Sequence, residues 1–332
     1  MSLTVAGQQT ELFPGLEGSQ LLTNLQRGYS AEGDLDYGIA RDTLFAEVWA
    51  RNGRLEGQYS GFQIDLPTGV DPTEWAFDRG INTEHVYPQS RGAGSGNARA
   101  DMHHLYPTRV NVNADRGSLP FADIPDSQTQ AWYYLAGQRS NPPPTAERDL
   151  YSEGTSRNFE PRESMKGDVA RAMFYFRTIY RSRTIDADPD YFASQVETLC
   201  RWDAEDPISD DERRRSTRIA QSQGNENPFI LDCTLPERLG YCQSRSAACR
   251  TLDASEALGG LTPLVVYPNP TARSLTVKSD FDVLQLSNTA GQMVWTAHHR
   301  DGTVTYGLPV LPKGLYLLRA RSSGAQQKII IE

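Results

Sequence analysis

Apolar residues recur at helical spacing in four stretches of the chain. They predict helices over residues 18–29, 42–50, 165–180 and 189–202, the second of which is stopped by an Asn-Gly pair. In residues 165–180 the apolar positions step mainly by three and four, which predicts the clearest amphipathic helix of the chain. A Ser-x-x-Glu capping box at residues 209–212 predicts the start of a further, highly charged helix.

Strand-like patterns occur in two parts of the chain. Residues 58–66 have the pattern of a strand, whereas residues 80–118 lack periodicity and indicate short strands and loops. After a stretch that ends in Gly-Gly, short strands follow at regular spacing between turn signals, which is typical of a small β-sandwich. The expected fold class is α+β, with a mainly helical domain over residues 1–245, a linker over 246–262 and a small all-β sandwich over 263–332.

Composition and charge narrow the functional classes. The 332 residues suffice for about two domains, and 38% apolar with 23% charged residues is typical of a globular protein without membrane spans. The formal net charge of −9 excludes a uniformly basic nucleic-acid binder. Residues 79–118 nevertheless carry five arginines against three acidic residues, a basic island that suits a focused site for an anion.

Four cysteines without a C-x-x-C motif argue against a zinc knuckle or a redox motif. In an exported protein their even number allows two disulfides, and at least one bridge is expected; the alternative is four buried thiols. The first ten residues lack the basic and apolar regions of a signal peptide, so either there is none or the sequence starts after it. The cysteines are Cys200, Cys233, Cys242 and Cys249.

Residues 80–118 hold three of the five histidines, together with acidic residues, asparagines and arginines. Phosphodiester hydrolysis needs a base for water, a divalent cation to absorb negative charge, and cationic donors for the phosphate. His85 suits the base, because an ordinary histidine pKa of ~6.5 leaves it largely neutral at pH 7. Glu84 and Asn113 supply oxygen ligands of the kind that Mg²⁺ prefers. Because strand neighbours point to opposite faces, Glu84 and His85 share a site only if the strand is irregular or if metal and base flank the phosphate.

Each of these residues also has a structural interpretation. A histidine beside a glutamate is more often structural than catalytic. Asn111 and Asn113 could cap a helix that starts near Val112. Arg109 and Arg116 could be solvated surface residues. Residue types and spacing alone therefore leave the nuclease hypothesis open.

Two further functional hypotheses remain beside it. His85, His103 and His104 could hold zinc in a hydrolase, although the H-E-x-x-H motif is absent. The chain could also be a non-catalytic, nucleic-acid-binding adhesin. For Asp101, His103 and His104, a hydrogen-bonded cluster behind the site is favoured slightly over direct ligation of a metal.

The same stretch resembles the endonuclease I family, which comprises secreted and periplasmic bacterial nucleases with a ββα-metal (His-Me finger) active site. The resemblance extends from about residue 11 to about residue 241. The matching motifs are Asn82-Thr83-Glu84-His85, Pro88-Gln89-Ser90, residues 101–108, Val112-Asn113, Arg116-Gly117, Leu119-Pro120-Phe121, residues 166–175, Trp202 with Asp206-Pro207, Gln223-Gly224-Asn225 and Asn227-Pro228-Phe229.

The resemblance implies roles for these positions. His85 would be the general base, and Glu84 and Asn113 would bind one Mg²⁺, with Mn²⁺ or Ca²⁺ able to take its place. Family members also use an arginine on the scissile phosphate, for which Arg99 is preferred here over Arg91. The product ends would carry a 5′-phosphate.

The resemblance also implies a substrate class and an assembly state. The substrate would be DNA, RNA or both, with contacts to the sugar-phosphate backbone rather than to base edges. Substrate-binding roles are expected for Arg91, Arg109 and Arg116. The protein is expected to act as a monomer.

The last ~70 residues resemble the type A C-terminal sorting domain of the type IX secretion system. The motifs are Tyr267-Pro268-Asn269-Pro270, a turn at residues 288–291, residues 311–316 and residues 328–332. Such a domain implies a partner in the secretion machinery and export through the periplasm, followed by release or anchoring at the cell surface. The alternative is a generic sandwich that binds carbohydrate or protein.

Overall fold

The computed structural model describes residues 11–243, 265–279, 283–288, 293–298, 302–320 and 326–332. The chain divides into two compact units, Met1–Thr251 and Leu252–Glu332. The first ten residues, the predicted linker over 246–262 and Cys249 lie outside the described residues, as does most of the turn at 288–291.

Helices dominate the first unit, as the sequence predicts. They are α1 (Gly18–Tyr29), α2 (Tyr37–Thr43), α3 (Pro72–Asp78), α4 (Asn97–Ala100), α5 (Val110–Arg116), α6 (Lys166–Ile179), α7 (Arg181–Ala187), α8 (Pro189–Ala193), α9 (Val196–Glu205), α10 (Asp210–Gln223), α11 (Pro228–Leu231) and α12 (Leu235–Arg238). Short 3₁₀ turns lie at Gln89–Arg91, Met102–His104, Thr145–Leu150 and Glu163–Met165, and a π-helical segment, Leu44–Trp49, continues α2. Within the described ranges, no helix combines the length and the apolar character needed to cross a bilayer.

The strands of the first unit form three small antiparallel arrangements. They are β1 (Arg54–Gly57), β2 (Phe62–Asp65), β3 (Ile81–His85), β4 (Leu105–Arg109), β5 (Ala131–Tyr134), β6 (Gly137–Arg139), β7 (Ser152–Gly154) and β8 (Phe159–Glu160). β1 pairs with β2, β3 pairs with β4, and the third sheet has the order β6-β5-β7-β8. The single strand predicted over residues 58–66 is wrong in extent, because residues 58–61 form the turn between β1 and β2.

Helix α6 is the centre of the first unit. The helix predicted over residues 165–180 is confirmed, but its amphipathic character is not, because all fourteen of its residues are buried. A helix buried on every side must satisfy its polar side chains internally. Arg171 does so by bonding Glu212 through Nε at 2.6 Å and Asp203 through Nη1 at 3.0 Å. A Cβ on Gly167 would lie 2.6 Å from the carbonyl oxygen of Asp206, so this approach requires glycine.

The second unit consists of antiparallel strands. They are β9 (Val265–Tyr267), β10 (Ser274–Ser279), β11 (Val283–Asn288), β12 (Met293–His298), β13 (Gly302–Gly307), β14 (Gly314–Ala320) and β15 (Gln326–Ile331). They form a three-stranded sheet of order β13-β10-β9 and a four-stranded sheet of order β12-β11-β14-β15. Leu275 and Val277 from the first sheet share one apolar cluster with Leu286, Leu318 and Ile329 from the second. This arrangement agrees with the expected small sandwich.

One disulfide is complete within the described residues. It joins Cys200 of α9 to Cys242 after α12, across a sequence separation of 42 residues. Cys233 is also disulfide-bonded. The expectation of at least one bridge is therefore confirmed.

Replacing both Cys200 and Cys242 with serine should lower the free energy of unfolding by about 4 kcal/mol. This magnitude is the loop-closure entropy that a bridge across 42 residues removes from the unfolded chain. Urea unfolding of the double variant, beside the wild-type protein, measures the loss. An unchanged midpoint would show that this bridge does not stabilise the domain.

Candidate active site

An open groove of about 510 Å³ lies where β3 ends. β3 runs antiparallel to β4, with Glu84 opposite Tyr106 and His85 opposite Leu105, and α5 follows β4 directly. The groove is lined by Asn82, Thr83, Glu84, His85, Pro88, Gln89, Ser90, Val110, Asn113, Ala114, Gly117 and Ser118. The two strands and the helix thus bring the predicted residues Glu84, His85 and Asn113 to one surface.

Glu84 is buried beside the groove, with 2% of its surface exposed. Its Oε1 accepts a hydrogen bond from the Tyr59 hydroxyl at 3.2 Å and lies 3.2 Å from Nη1 of Arg116. Burial raises the pKa of Glu84 to about 7, although Arg116 and the Tyr59 bond act in the opposite direction. The backbone N–H of His85 also bonds this carboxylate, so the side chain of Glu84 is held in place from several directions.

The imidazole of His85 is held through one of its nitrogens. Its Nε2–H donates to the carbonyl oxygen of Arg99 at 3.0 Å, so Nδ1 is the unprotonated nitrogen. Nδ1 accepts a long hydrogen bond of 3.3 Å from the side chain of Gln89, which lies in the groove. Burial, together with the charges of Arg99, Arg116 and Arg41, lowers the pKa of His85 to about 4, although the hydrogen bond to the Arg99 carbonyl acts in the opposite direction. At neutral pH the ring is therefore uncharged and can accept a proton at Nδ1.

The side chains of Glu84 and His85, which are adjacent in β3, contact different residues. Glu84 contacts Tyr59 and Arg116, whereas the His85 ring lies 5.6 Å from that of Tyr37. Both side chains nevertheless line the groove, because the strand ends at His85. β3 keeps its regular pairing with β4 up to His85, so a metal and a base on either side of a phosphate stays the prediction for these two residues.

Asn113 lies inside α5 and does not cap it. The cap position belongs to Arg109, whose side chain makes no capping bond. The Nδ2 group of Asn113 donates to Oδ1 of Asn82 at 2.7 Å and to the carbonyl oxygen of Thr83 at 3.1 Å. Both amide protons of Asn113 are used in bonds to β3, so its Oδ1 is the atom left to act as a ligand for a cation in the groove.

The oxygen donors of Glu84 and Asn113 fit a hard divalent cation. Carboxylate and amide oxygens suit Mg²⁺ and Ca²⁺ better than soft metals. No cluster of three or more His, Cys, Asp or Glu residues able to hold a metal occurs in the part of the chain that the structure describes. A cation at this groove would therefore take most of its ligands from water and substrate, as Mg²⁺ commonly does on phosphates.

Arg116 has a position different from the expected one. Its side chain is fully buried, and its guanidinium donates to the carbonyl oxygens of His85 at 3.2 Å and of Val86 at 2.7 Å. Together with the ion pair to Glu84, these bonds fasten the end of β3 from behind. Arg116 thus positions Glu84 instead of facing a substrate phosphate.

The other predicted arginines lie outside the lining of the groove. Arg91 forms an ion pair with Asp188. The guanidinium of Arg109 lies 5.6 Å from the ring centre of Phe62. The guanidinium of Arg99 is exposed and stacks over Tyr37 at 4.3 Å. The direct contact of Arg99 with His85 is made by its backbone carbonyl oxygen.

Asp101, His103 and His104 form the buried layer behind the site. Asp101 Oδ2 accepts hydrogen bonds from the hydroxyls of Tyr175 at 2.7 Å and Tyr180 at 2.8 Å. Nε2 of His103 and Nε2 of His104 each donate to a backbone carbonyl, at 2.9 Å and 2.8 Å. These bonds orient the two rings into the protein, which favours the hydrogen-bonded cluster over a zinc set with His85.

The sequence analysis missed residues that come from other parts of the chain and surround Glu84 and His85. Tyr59 lies in the turn between β1 and β2, and Tyr37 and Arg41 lie on α2. Arg41 also stacks on Tyr37, at 4.8 Å. No local motif marks these three positions; Gln89 belongs to the Pro88-Gln89-Ser90 motif, but its bond to His85 was not predicted.

Two family models match this chain. A family model described as Endonuclease I matches residues 56–234, more than half of the chain. A model described as a secretion system C-terminal sorting domain matches residues 265–332, which confirms the predicted sorting tail.

Several curated relatives are similar to the first unit. The chain is 32% identical over 167 residues to an extracellular ribonuclease of Bacillus amyloliquefaciens, covering 45% of this chain and 50% of that protein. It is 29% identical over 131 residues to an extracellular deoxyribonuclease of Aeromonas hydrophila, covering 39% and 48%. The chain thus spans about half the length of the curated relatives it matches. With the sorting tail, these relatives indicate a protein that is secreted or held at the cell surface.

Proposed function

The chain belongs to the Endonuclease I family, and on that premise we propose that it is a secreted, Mg²⁺-dependent endonuclease that hydrolyses phosphodiester bonds in DNA and RNA. The observation that carries the proposal is the convergence of Glu84, His85 and Asn113 on one groove. In this proposal β3, β4 and α5 form the ββα-metal core, and Glu84 and Asn113 hold the cation. Named ribonucleases and deoxyribonucleases among the relatives support both substrates.

The residues of the groove would act in a defined order. His85 accepts a proton from water at Nδ1 while the carbonyl of Arg99 keeps the ring in place. The hydroxide formed attacks the phosphorus, the bond from phosphorus to the 3′ oxygen breaks, and that oxygen takes a proton from solvent, so the 5′-phosphate remains on the other fragment. A bound cation supplies charge neutralisation at the phosphate and at the departing oxygen. Arg116 and Tyr59 maintain the position of Glu84 throughout.

Binding of the substrate would rest on the sugar-phosphate backbone. The groove is open and no arginine belongs to its lining, so it would contact few phosphates and bind without base-specific readout. Arg99, stacked at the His85 side, is the arginine we propose for the scissile phosphate. Arg91 and Arg109 remain proposals for neighbouring phosphates. The sorting tail would engage the secretion machinery, and the nuclease would act as a monomer.

Removal of divalent cations tests this function. Plasmid DNA and a structured RNA should remain intact in EDTA and be cut when Mg²⁺ or Mn²⁺ is restored, because two protein oxygens and the substrate would hold the ion loosely. Analysis of protein purified without added metal should find no stoichiometric zinc. A protein that binds DNA but fails to cut it, whichever divalent cation is added, would contradict the proposal and favour the adhesin hypothesis.

Alanine variants of two asparagines in α5 distinguish an effect on metal binding from an effect on folding. Asn113→Ala should weaken Mn²⁺ binding, measured by calorimetry, by at least about tenfold, because even partners of metal ligands contribute ~10–100-fold. Asn111→Ala is the matched control, since Asn111 does not line the groove and contacts Gln138 at 3.4 Å. Equal Mn²⁺ affinities in the two variants would remove Asn113 from the ligand set.

A further inference from the structure

Phe77 is an exposed aromatic residue held on a rigid element. It is 60% exposed, whereas the preceding Ala76 is completely buried. Helix α3 is fixed at its start by Asp71, whose carboxylate accepts a hydrogen bond from the backbone N–H of Glu74 at 2.8 Å. The indole of Trp75 anchors the same helix by donating to the carbonyl oxygen of Asp65 at 2.8 Å. The Phe77 ring is thus presented to solvent by an ordered helix and not by a loose loop.

The ring lines a second groove that adjoins the catalytic one. This second groove has a volume of about 360 Å³ and includes Arg41 of α2 opposite Phe77 of α3. Asn82 and Thr83 line both the second groove and the catalytic groove, so the two adjoin along β3. A chain that passes the catalytic groove can therefore place its next unit beside Phe77.

The charges of the second groove favour a base over a phosphate. Glu74 and Asp78 line it, and their carboxylates would repel a phosphate but can accept hydrogen bonds from the amino groups of a base. Arg41 forms no ion pair within the described ranges, and it lies on the side of Tyr37, near His85. Arg41 thus gives the second groove a positive charge on the side near His85.

We propose that the second groove binds one unpaired base of the nucleic-acid substrate, stacked on Phe77, while the adjacent phosphate lies in the catalytic groove. A volume of about 360 Å³ accommodates a single base. A base inside a duplex is stacked and paired and cannot reach this ring without being extruded. The site therefore gives the enzyme a preference for single-stranded over duplex substrate. This inference rests on the proposed nuclease function.

The test compares cleavage of a single strand and of the matching duplex by the full chain with Mg²⁺. Phe77→Ala should lower the ratio of kcat/KM for single strand over duplex about tenfold, mainly through KM, which is the size of one lost base–aromatic contact. Phe77→Tyr keeps the ring and should keep the ratio within about twofold. Ile39→Ala is the control, because Ile39 is 69% exposed on neighbouring α2 but does not line the groove.

Binding is measured separately, so that failure of catalysis and failure of stacking can be told apart. In a His85→Ala background, a fluorescent single-stranded oligonucleotide should bind about tenfold more weakly when Phe77→Ala is added. An unchanged cleavage ratio and unchanged binding for Phe77→Ala, or an equal loss in Ile39→Ala, would overturn the stacking site. Absence of cleavage by the wild-type protein would overturn the nuclease proposal, while the binding measurement still decides the role of Phe77.

Discussion

Replacing His85 with alanine should lower the rate of DNA cleavage by about 10²–10⁴-fold, the usual contribution of a positioned general base. The neutral ring offers Nδ1 to the groove and is anchored through Nε2 at 3.0 Å, so its removal takes away the proton acceptor. Plasmid nicking followed over time measures the loss. Binding of DNA, measured by anisotropy in Ca²⁺, should persist, because the phosphate contacts come from other residues.

Two comparisons separate the base from a structural role of the same ring. Added imidazole should restore part of the rate of His85→Ala, since a small base can enter the open groove. His298→Ala, which removes an exposed histidine of β12 in the second unit, should cleave at the wild-type rate. Full activity of His85→Ala would refute the assignment of the base.

Arg171→Met should destabilise the first unit by about 3–5 kcal/mol, because it leaves buried carboxylates without their cation. The Arg171 guanidinium bonds both oxygens of Glu212, at 2.6 and 2.8 Å, and Oδ1 of Asp203 at 3.0 Å. Asp168 and Arg215 extend the same buried network. Methionine matches the length of the side chain, so the loss reports charge and hydrogen bonding more than volume. Thermal and urea unfolding at neutral pH measure it.

The deficit of Arg171→Met should shrink as the pH falls from about 8 to about 5.5. Burial already raises the pKa of Asp203 to about 6, and Arg171 opposes that rise. A carboxyl with a raised folded-state pKa holds its proton more tightly in the folded state, so its destabilising effect is full above that pKa, shrinks as the pH falls through it, and is gone only below the ordinary pKa of 3.8. Without Arg171 the folded-state pKa of Asp203 rises further, so this carboxyl takes up its proton at a higher pH. Its protonation then relieves part of the destabilisation. Arg218→Met, on the solvent side of α10, should change stability by less than about 0.5 kcal/mol at either pH.

Much of the architecture was predictable from local patterns. Helical spacing located α1, α6 and α9, and the capping box placed Ser209 as the cap of α10, where its hydroxyl accepts from the Glu212 N–H at 3.1 Å. Short alternating segments predicted the strands of the tail. These features depend on residues within one or two turns of each other, so periodicity suffices to detect them.

The candidate site was predictable in its chemistry but not in its support. The motif around Glu84 and His85 predicted that these two residues share a site, and the structure brings both to one groove. The role of Arg116 could not be anticipated, because an arginine in a polar stretch of sequence is expected at the surface. Only tertiary packing shows that it is buried against Glu84. Tyr59 likewise reaches Glu84 from a turn that carries no motif.

Residue type and short-range spacing were enough to predict the two-part organisation, the family resemblance and the candidate trio Glu84, His85 and Asn113. Tertiary packing alone determined that α6 is buried on every side and that Arg171 holds its carboxylates in place. Packing alone also opened the second groove beside Phe77. The physical reason is that side-chain pattern is local, whereas burial and charge compensation depend on partners that the fold brings together from far along the chain.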